Sequence, residues 1–309
     1  MRVSITFRNY LEKYSERFLE GIKPVKILEQ IREGPLVSIC IPAFNYKFFE
    51  KCLRSALNQT YKNVEVVVCD DSPNGKIYEI IKANRDTRIL YYKNERNLGA
   101  KQNIQRCIDK ANGKYIKFLN DDDILAPECV SKMVTYFEVF GDSVSLVTSK
   151  RDRIDANDKK ISDIDATAPL FYEDTLVGGR DIGNFMLARG LNIIGEPTTA
   201  MFRKSDVYKI SQGIINLINR KSYCNVDQIM WLNLLTMGDC VYISQPLSYF
   251  REHDAQLSKG SIKVRCSVSY LLIILNSRLI GYVRDGFPFL LIFLRGFIGV
   301  LTAIITNNR

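Results

Sequence analysis

No Cys-x-x-Cys pair occurs in the 309 residues, although the chain has eight cysteines. That spacing gives no support for a zinc site. Several cysteines sit inside apolar runs, Cys40 in Val-Ser-Ile-Cys-Ile and Cys69 in Val-Val-Val-Cys. They read as small buried hydrophobes of a reducing compartment, outside any disulfide. Also missing are Gly-x-Gly-x-x-Gly and Gly-x-x-x-x-Gly-Lys-Ser/Thr, which disfavours a dinucleotide cofactor and a P-loop NTPase. There is no internal repeat and no low-complexity run. The opening Met-Arg-Val-Ser-Ile-Thr-Phe-Arg lacks the apolar core and cleavage site of a secretory signal, so the expected location is cytoplasmic.

What is present is ordinary globular usage, 46% hydrophobic and 25% charged. This excludes a disordered chain, a collagen-like repeat and a small disulfide scaffold. The length suits one large domain or two small ones. Lys plus Arg at 43 against Asp plus Glu at 34 leaves +9, which makes an anionic partner plausible without choosing one. More than half of that excess lies between Gly260 and Arg309, where six bases face the single acid Asp285 in the most apolar stretch.

Four segments follow from these shifts. Residues 1–34 carry Phe7, Tyr10, Leu11, Tyr14, Phe18, Leu19 and Ile22 at helical spacing, one amphipathic helix. Residues 35–150 alternate strand-like and helix-like patterns, residues 151–259 form a second half, and 260–309 form a basic apolar tail with helical character. In the alternating part, Leu36–Ile41, Val64–Cys69, Ile89–Tyr92, Tyr115–Leu119 and Val144–Thr148 read as strands, several buried on both faces. Phe48, Phe49, Cys52, Leu53, Ala56 and Leu57 share one helical face, as do Ala100, Ile104, Cys107, Ile108 and Ala111. The expectation is an α/β protein with a mostly parallel sheet flanked by helices. In such sheets ligands sit beyond the carboxyl ends of the strands.

Three strand ends carry polar chemistry. They are Pro42-Ala-Phe-Asn-Tyr46, Asp70-Asp-Ser-Pro-Asn-Gly75 and Asn120-Asp-Asp-Asp123. Taken alone, Asp70 and Asp71 are turn formers. Asp121 to Asp123 could be a solvated loop or a cap for the helix near Pro127. Three adjacent carboxylates repel, however, and hard oxygens suit magnesium or manganese. Together the clusters suggest one carboxylate on a base or ribose and another on a metal that bridges a diphosphate.

These residues resemble a family 2 glycosyltransferase. The likeness runs through Val37-Ser-Ile-Cys-Ile-Pro-Ala-Phe-Asn45, Ser55-Ala-Leu-Asn-Gln-Thr-Tyr61, Val66-Val-Val-Cys-Asp-Asp-Ser72, Asn97-Leu-Gly99 and Ala111 to Leu125. It continues in Gly195-Glu-Pro-Thr-Thr-Ala-Met-Phe-Arg203, Val226 to Leu235 and Pro246-Leu-Ser-Tyr-Phe-Arg-Glu-His253. The resemblance implies the GT-A nucleotide-sugar-binding fold and an inverting, metal-dependent transfer. By that analogy Pro42, Ala43, Asn45, Asp70 and Asp71 border the nucleotide, and Lys101 supplies the cationic contact that Gln102 does not. Asp123 is the expected ligand of Mn2+ or Mg2+, with Asp121 and Asp122 on the ribose and diphosphate side.

His253, the one histidine, would by composition be incidental. The resemblance places it near the metal, where neutral imidazole can ligate manganese. Asp227, before the apolar run Ile229, Met230, Leu232, Leu234 and Leu235, would by pattern begin a helix. The resemblance makes it the general base, with Glu196 the second candidate. The expected partners are a nucleotide-sugar donor, a glycan or lipid-linked saccharide acceptor and the inner membrane face, touched peripherally through 260–309. Nucleic acid is not expected, since the bases are dispersed without interleaved aromatics. The alternatives are a sugar nucleotidyltransferase, whose Gly-rich basic loop is missing after the first strand, and a non-catalytic membrane-peripheral binding protein.

Overall fold

The structure, a computed structural model, describes residues 22–27, 29–210, 225–253, 263–282, 293–294 and 296–298. The amphipathic stripe expected over 7–22 therefore lies outside the described residues apart from Ile22, and so does most of the basic apolar tail beyond residue 282.

The first half is built as its apolar runs require. Strands β2 (Val37–Ala43), β3 (Val64–Asp70), β4 (Ile89–Lys93) and β5 (Tyr115–Phe118) lie parallel in the order β4-β3-β2-β5. Helices α1 (Phe49–Leu57), α2 (Lys76–Asn84), α3 (Ala100–Lys110) and α4 (Cys129–Phe140) cover them. Every residue of β3 is buried, as expected of a strand covered on both faces. Alternate residues feed two cores. Val37, Ile39 and Ile41 point to one side with α1 and α4, while Cys40 points to the other with Ile104, Cys107 and Ile108 of α3.

Beyond β5 the sheet becomes mixed, which departs from a mostly parallel arrangement. Strand β10 (Ala200–Arg203) runs antiparallel to both β5 and β7 (Val144–Ile154), and β11 (Asp239–Arg251) runs parallel to β7. Beyond β11 come β9 (Thr175–Val177) and then β1 (Lys23–Pro24). Two short strands complete it, β6 (Ile124–Leu125) on β11 and β8 (Lys160–Ile161) on β7. Helices α5 (Gly179–Arg189), α6 (Lys204–Lys209) and α7 (Val226–Leu234) belong to the second half. α7 is buried from Gln228 to Leu234.

Helix α8 (Lys263–Ser277) packs on this second half. Ile273 and Ile274 are buried, Tyr270 donates to the Leu187 carbonyl at 2.6 Å, and Tyr282 beyond it donates to the Leu232 carbonyl at 2.7 Å. Its other face leaves Val268, Leu272, Leu275 and, just past its end, Leu279 exposed. Among the described residues no helix is long and apolar enough to cross a membrane. One expectation about cysteine fails. Six described cysteines are free and buried, but Cys266 is disulfide-bonded, its partner lying outside the described residues. An apolar setting hides thiols in sequence without deciding which of them meet.

Candidate functional site

The parallel strands leave the chain order at β2. From it the chain runs to β3 and β4 on one side and returns to β5 on the other. The crevice beyond the β2 and β5 ends is where such a sheet binds ligands. Asp121 bridges it, one carboxylate oxygen accepting the Phe44 and Asn45 N–H groups, each at 2.6 Å. Burial, and next the neighbouring Asp122 carboxylate, push Asp121 up to about 7. The Phe44 ring stands exposed beside it.

The three aspartates have three different surroundings. Asp122 is partly exposed and meets the buried His253, Oδ2 to Nε2 at 3.1 Å. His253 Nδ1 is buried with no hydrogen-bond partner. Asp123, expected as the metal ligand, is fully buried. Its Oδ2 accepts from the Thr198 hydroxyl at 2.6 Å and Asn120 Nδ2 at 3.2 Å, and its Oδ1 accepts the Arg251 N–H at 3.0 Å. Burial raises its pKa well above the ordinary carboxylate range. Three donors thus engage its two oxygens.

Arg251 organises the other side of this loop. Its Nε donates to the Asp122 carbonyl at 2.7 Å, and Nη1 reaches the Asp155 carbonyl at 2.9 Å and Asp158 Oδ1 at 2.5 Å. The guanidinium lies over the Phe48 ring at 4.5 Å, and that ring sits 5.0 Å from the His253 ring. Asp158 also pairs with Lys51 of α1. Sequence reasoning missed Arg251, although its place in Arg-Glu-His next to an expected ligand was a usable signal.

Asp70 and Asp71, at the end of β3, are both buried and engaged internally. Asp70 accepts from the Ser72 N–H at 2.8 Å and the Tyr91 hydroxyl at 2.7 Å, with Lys93 at 3.4 Å. Asp71 accepts from Asn94 Nδ2 and from the Leu98 and Gly99 N–H groups, at 2.8–3.0 Å. Asp71 thus clamps the Asn94–Gly99 loop that leads into α3. Lys101, in the first turn of α3, has its pKa lowered by burial. Pro42 and Ala43 close β2, and Asn45 Oδ1 accepts the Lys47 N–H at 3.0 Å.

The second half brings Asp227 and Glu196 to one turn. Asp227, in the first turn of α7, is half-buried. Its Oδ2 accepts from Asn192 Nδ2 at 2.7 Å and its Oδ1 from the Gln228 N–H at 2.8 Å. Burial pushes its pKa up to about 6, the Glu196 charge adding to the rise. Glu196 Oε2 pairs with Arg151 Nε at 2.9 Å, while Oε1 is buried without a partner. The turn is tied at Gly195, whose carbonyl accepts from Trp231 Nε1 at 2.7 Å and Asn192 Nδ2 at 2.8 Å. At φ +106° and with Arg151 Nη1 and Thr199 Cγ2 each 2.7 Å from a hypothetical Cβ, this position requires glycine.

Among the described residues no group of three or more His, Cys, Asp or Glu side chains converges as a closed metal site. Asp122 and His253 are two donors, one hard oxygen and one imidazole nitrogen. That set fits a manganese or magnesium ion whose remaining ligands are water and phosphate oxygens.

The model of glycosyl transferase family 2 matches residues 38–210. A glucosyltransferase of Escherichia coli, "UDP-Glc:alpha-D-GlcNAc-diphosphoundecaprenol beta-1,3-glucosyltransferase WfaP", is 38% identical over 104 residues, 33% of this chain and 41% of that protein. The GalNAc(5)-diNAcBac-PP-undecaprenol beta-1,3-glucosyltransferase of Campylobacter jejuni is 31% identical over 116 residues, 35% of this chain and 38% of that protein. The chain thus matches about two fifths of the length of either relative. Among solved structures, the Pyrobaculum calidifontis mannosyltransferase PcManGT in complex with GDP-Man and Mn2+ superposes with a TM-score of 0.60. That superposition covers 97% of this chain and 81% of that one at 14% identity, a likeness of fold.

Proposed function

The chain belongs to glycosyl transferase family 2, and we propose that it moves a sugar, with inversion, from a nucleotide-diphosphate donor to a hydroxyl of a lipid-linked glycan. One observation carries the reading. The crevice at the β2–β5 switch point holds Asp121, Asp122 and His253 on its sheet side. The second half supplies a carboxylate at Asp227 raised to about 6.

In this reading the metal is held by Asp122 and His253, in place of Asp123. Asp123 serves as the buried post on which the loop is hung, tied to Thr198 and Arg251. A bound divalent ion would neutralise charge on the departing diphosphate. Asp121 sits where it can meet a ribose, and the exposed Phe44 ring offers a face for a base. Asp227 accepts the proton of the attacking hydroxyl, and Asn192 and the Gln228 N–H fix its two oxygens. A pKa near 6 leaves it mostly ionised at neutral pH while still basic enough to take a proton. Glu196, already paired with Arg151, forms the wall of the acceptor side.

The acceptors of the two relatives are diphosphoundecaprenol-linked by name, which supports a lipid-linked acceptor here. The outer face of α8 (Val268, Leu272, Leu275) would then rest on the membrane surface, with the excess of bases in 260–309 drawn to anionic lipid. The test is transfer itself, with labelled UDP-glucose, UDP-GlcNAc and GDP-mannose offered beside undecaprenyl-diphosphate saccharides with and without Mn2+. Label reaching no acceptor in any combination overturns the reading.

A further inference from the structure

Lys117 lies in the middle of β5, in the run Tyr-Ile-Lys-Phe, and its side chain is fully buried. Strand register places it in a row across the sheet with Val66, Ile39, Met201, Val147 and Val241. All five of those residues are apolar and fully buried. An ammonium in that row is strongly unfavourable unless charge and hydrogen bonds compensate it. Burial lowers its pKa, and its Nζ donates to the Thr198 carbonyl.

That contact falls on a plate of chain, Asn192–Thr199. Thr198 hydroxyl holds Asp123 on the metal side. Six residues earlier the same plate begins to tie the base side, since Asn192 holds both Gly195 and Asp227, and Trp231 of α7 holds Gly195. Arg151 grips Glu196 from β7. The segment Asn192–Thr199 therefore sets the spacing between the two halves of the site, and Lys117 is the donor that fastens it from within the sheet.

We propose that Lys117 is a positioning residue for sugar transfer, a buried donor to the Thr198 carbonyl that holds the Asn192–Thr199 plate at one distance from the metal-side aspartates. The proposal rests on the transferase reading for its consequence, and on the hydrogen-bond pattern for the contact itself. A lysine that merely filled space would be replaceable by methionine, which has a similar shape and suits an apolar row better.

The protein has one tryptophan, Trp231, bonded to the plate, so its fluorescence reports the plate without any substrate. Acrylamide quenching of Trp231 should rise about two-fold or more in Lys117→Met, which leaves the Thr198 carbonyl without its buried donor, and rise less in Lys117→Gln, which keeps an N–H there. Unchanged quenching in Lys117→Met, or an equal rise in Lys117→Gln, overturns the proposal. Folding of Lys117→Gln alone supports it, and failure of both to fold overturns it by assigning Lys117 to core stability. With Mn2+ and UDP-glucose as probes, Lys117→Met should keep donor affinity within about three-fold while transfer falls about 10²-fold, the loss expected of an ångström-scale misplacement. Equal losses of affinity and rate would also overturn it. A wild type that transfers no sugar refutes the transferase reading, and the quenching result still decides the contact.

Discussion

Replacing Asp227 by asparagine should make the protein more stable at neutral pH and almost inactive. Burial lifts this carboxyl from its ordinary 3.8 to about 6, so the folded state holds its proton more tightly than the unfolded chain does. A raised carboxyl destabilises the fold as pH climbs from 3.8 towards 6, and the full penalty persists above that. Lifting a carboxyl by that much corresponds to about 3 kcal/mol at pH 7 and only about 0.5 kcal/mol at pH 4. Asparagine removes the penalty but forfeits one of the hydrogen bonds from Asn192 or the Gln228 N–H, about 1 kcal/mol at either pH. The variant should therefore gain about 1–2 kcal/mol over wild type at pH 7 and show no gain at pH 4. The difference between the two pH values, about 2–3 kcal/mol, does not depend on the lost hydrogen bond. Urea unfolding of both proteins at the two pH values measures it. Wild-type transfer should rise about ten-fold from pH 5 to pH 7 with a midpoint near 6, and Asp227→Asn should fall by about 10²- to 10⁴-fold. A stability difference that stays constant between pH 4 and pH 7 would refute the burial argument. Turnover within a few-fold of wild type would leave Asp227 as a helix start, and Glu196→Gln would be the next base to test.

Asp122→Asn should abolish the Mn2+-dependent part of nucleotide-sugar binding with little change in unfolding midpoint, measured by Mn2+ paramagnetic resonance; retention of that binding returns the ligand to Asp121 or Asp123. Gly195→Ala forces a side chain into φ +106° and against Arg151 and Thr199, so denaturation should show a loss of about 1–3 kcal/mol together with reduced transfer. The triple change Leu272→Glu, Leu275→Glu and Leu279→Glu alters the exposed face next to the buried Ile273 and Ile274. It should stop co-sedimentation with phosphatidylglycerol vesicles at an unchanged thermal midpoint, and continued sedimentation would remove that face from membrane contact.

The parallel half of the fold was legible because its strands are apolar on consecutive residues. Val64–Cys69 and Ile89–Tyr92 differ from the observed strands by one residue at their ends. β7 was read too short, as Val144–Thr148 where the strand continues to Ile154. Its extension, Ser-Lys-Arg-Asp-Arg, carries polar and charged residues that no pattern assigns to a buried strand. They are buried because partners arrive from elsewhere. Arg151 meets Glu196, Asp152 meets Lys160 of β8 at 2.7 Å, and Arg153 meets Glu252. The mixed order of the sheet beyond β5 was illegible for a related reason. β10 and β7 pair antiparallel across more than fifty residues of chain, and no local pattern states that choice.

The run Asp121-Asp122-Asp123 shows where residue chemistry alone stops. Three adjacent carboxylates are equivalent as a sequence, and their charge already argued for a metal. What separates them is what the distant chain brings to each. Thr198, 75 residues later, and the Arg251 N–H, 128 residues later, occupy the two oxygens of Asp123. Phe44 and Asn45, 77 and 76 residues earlier, hold Asp121. That leaves Asp122 with a carboxylate oxygen turned to an imidazole, 131 residues away at His253. A buried carboxylate that accepts three donors fixes backbone, whereas a partly exposed one beside a histidine can bind an ion. The different surroundings of three consecutive aspartates are therefore a property of the assembled sheet, set when the turn before β10 and the end of β11 pack against the loop.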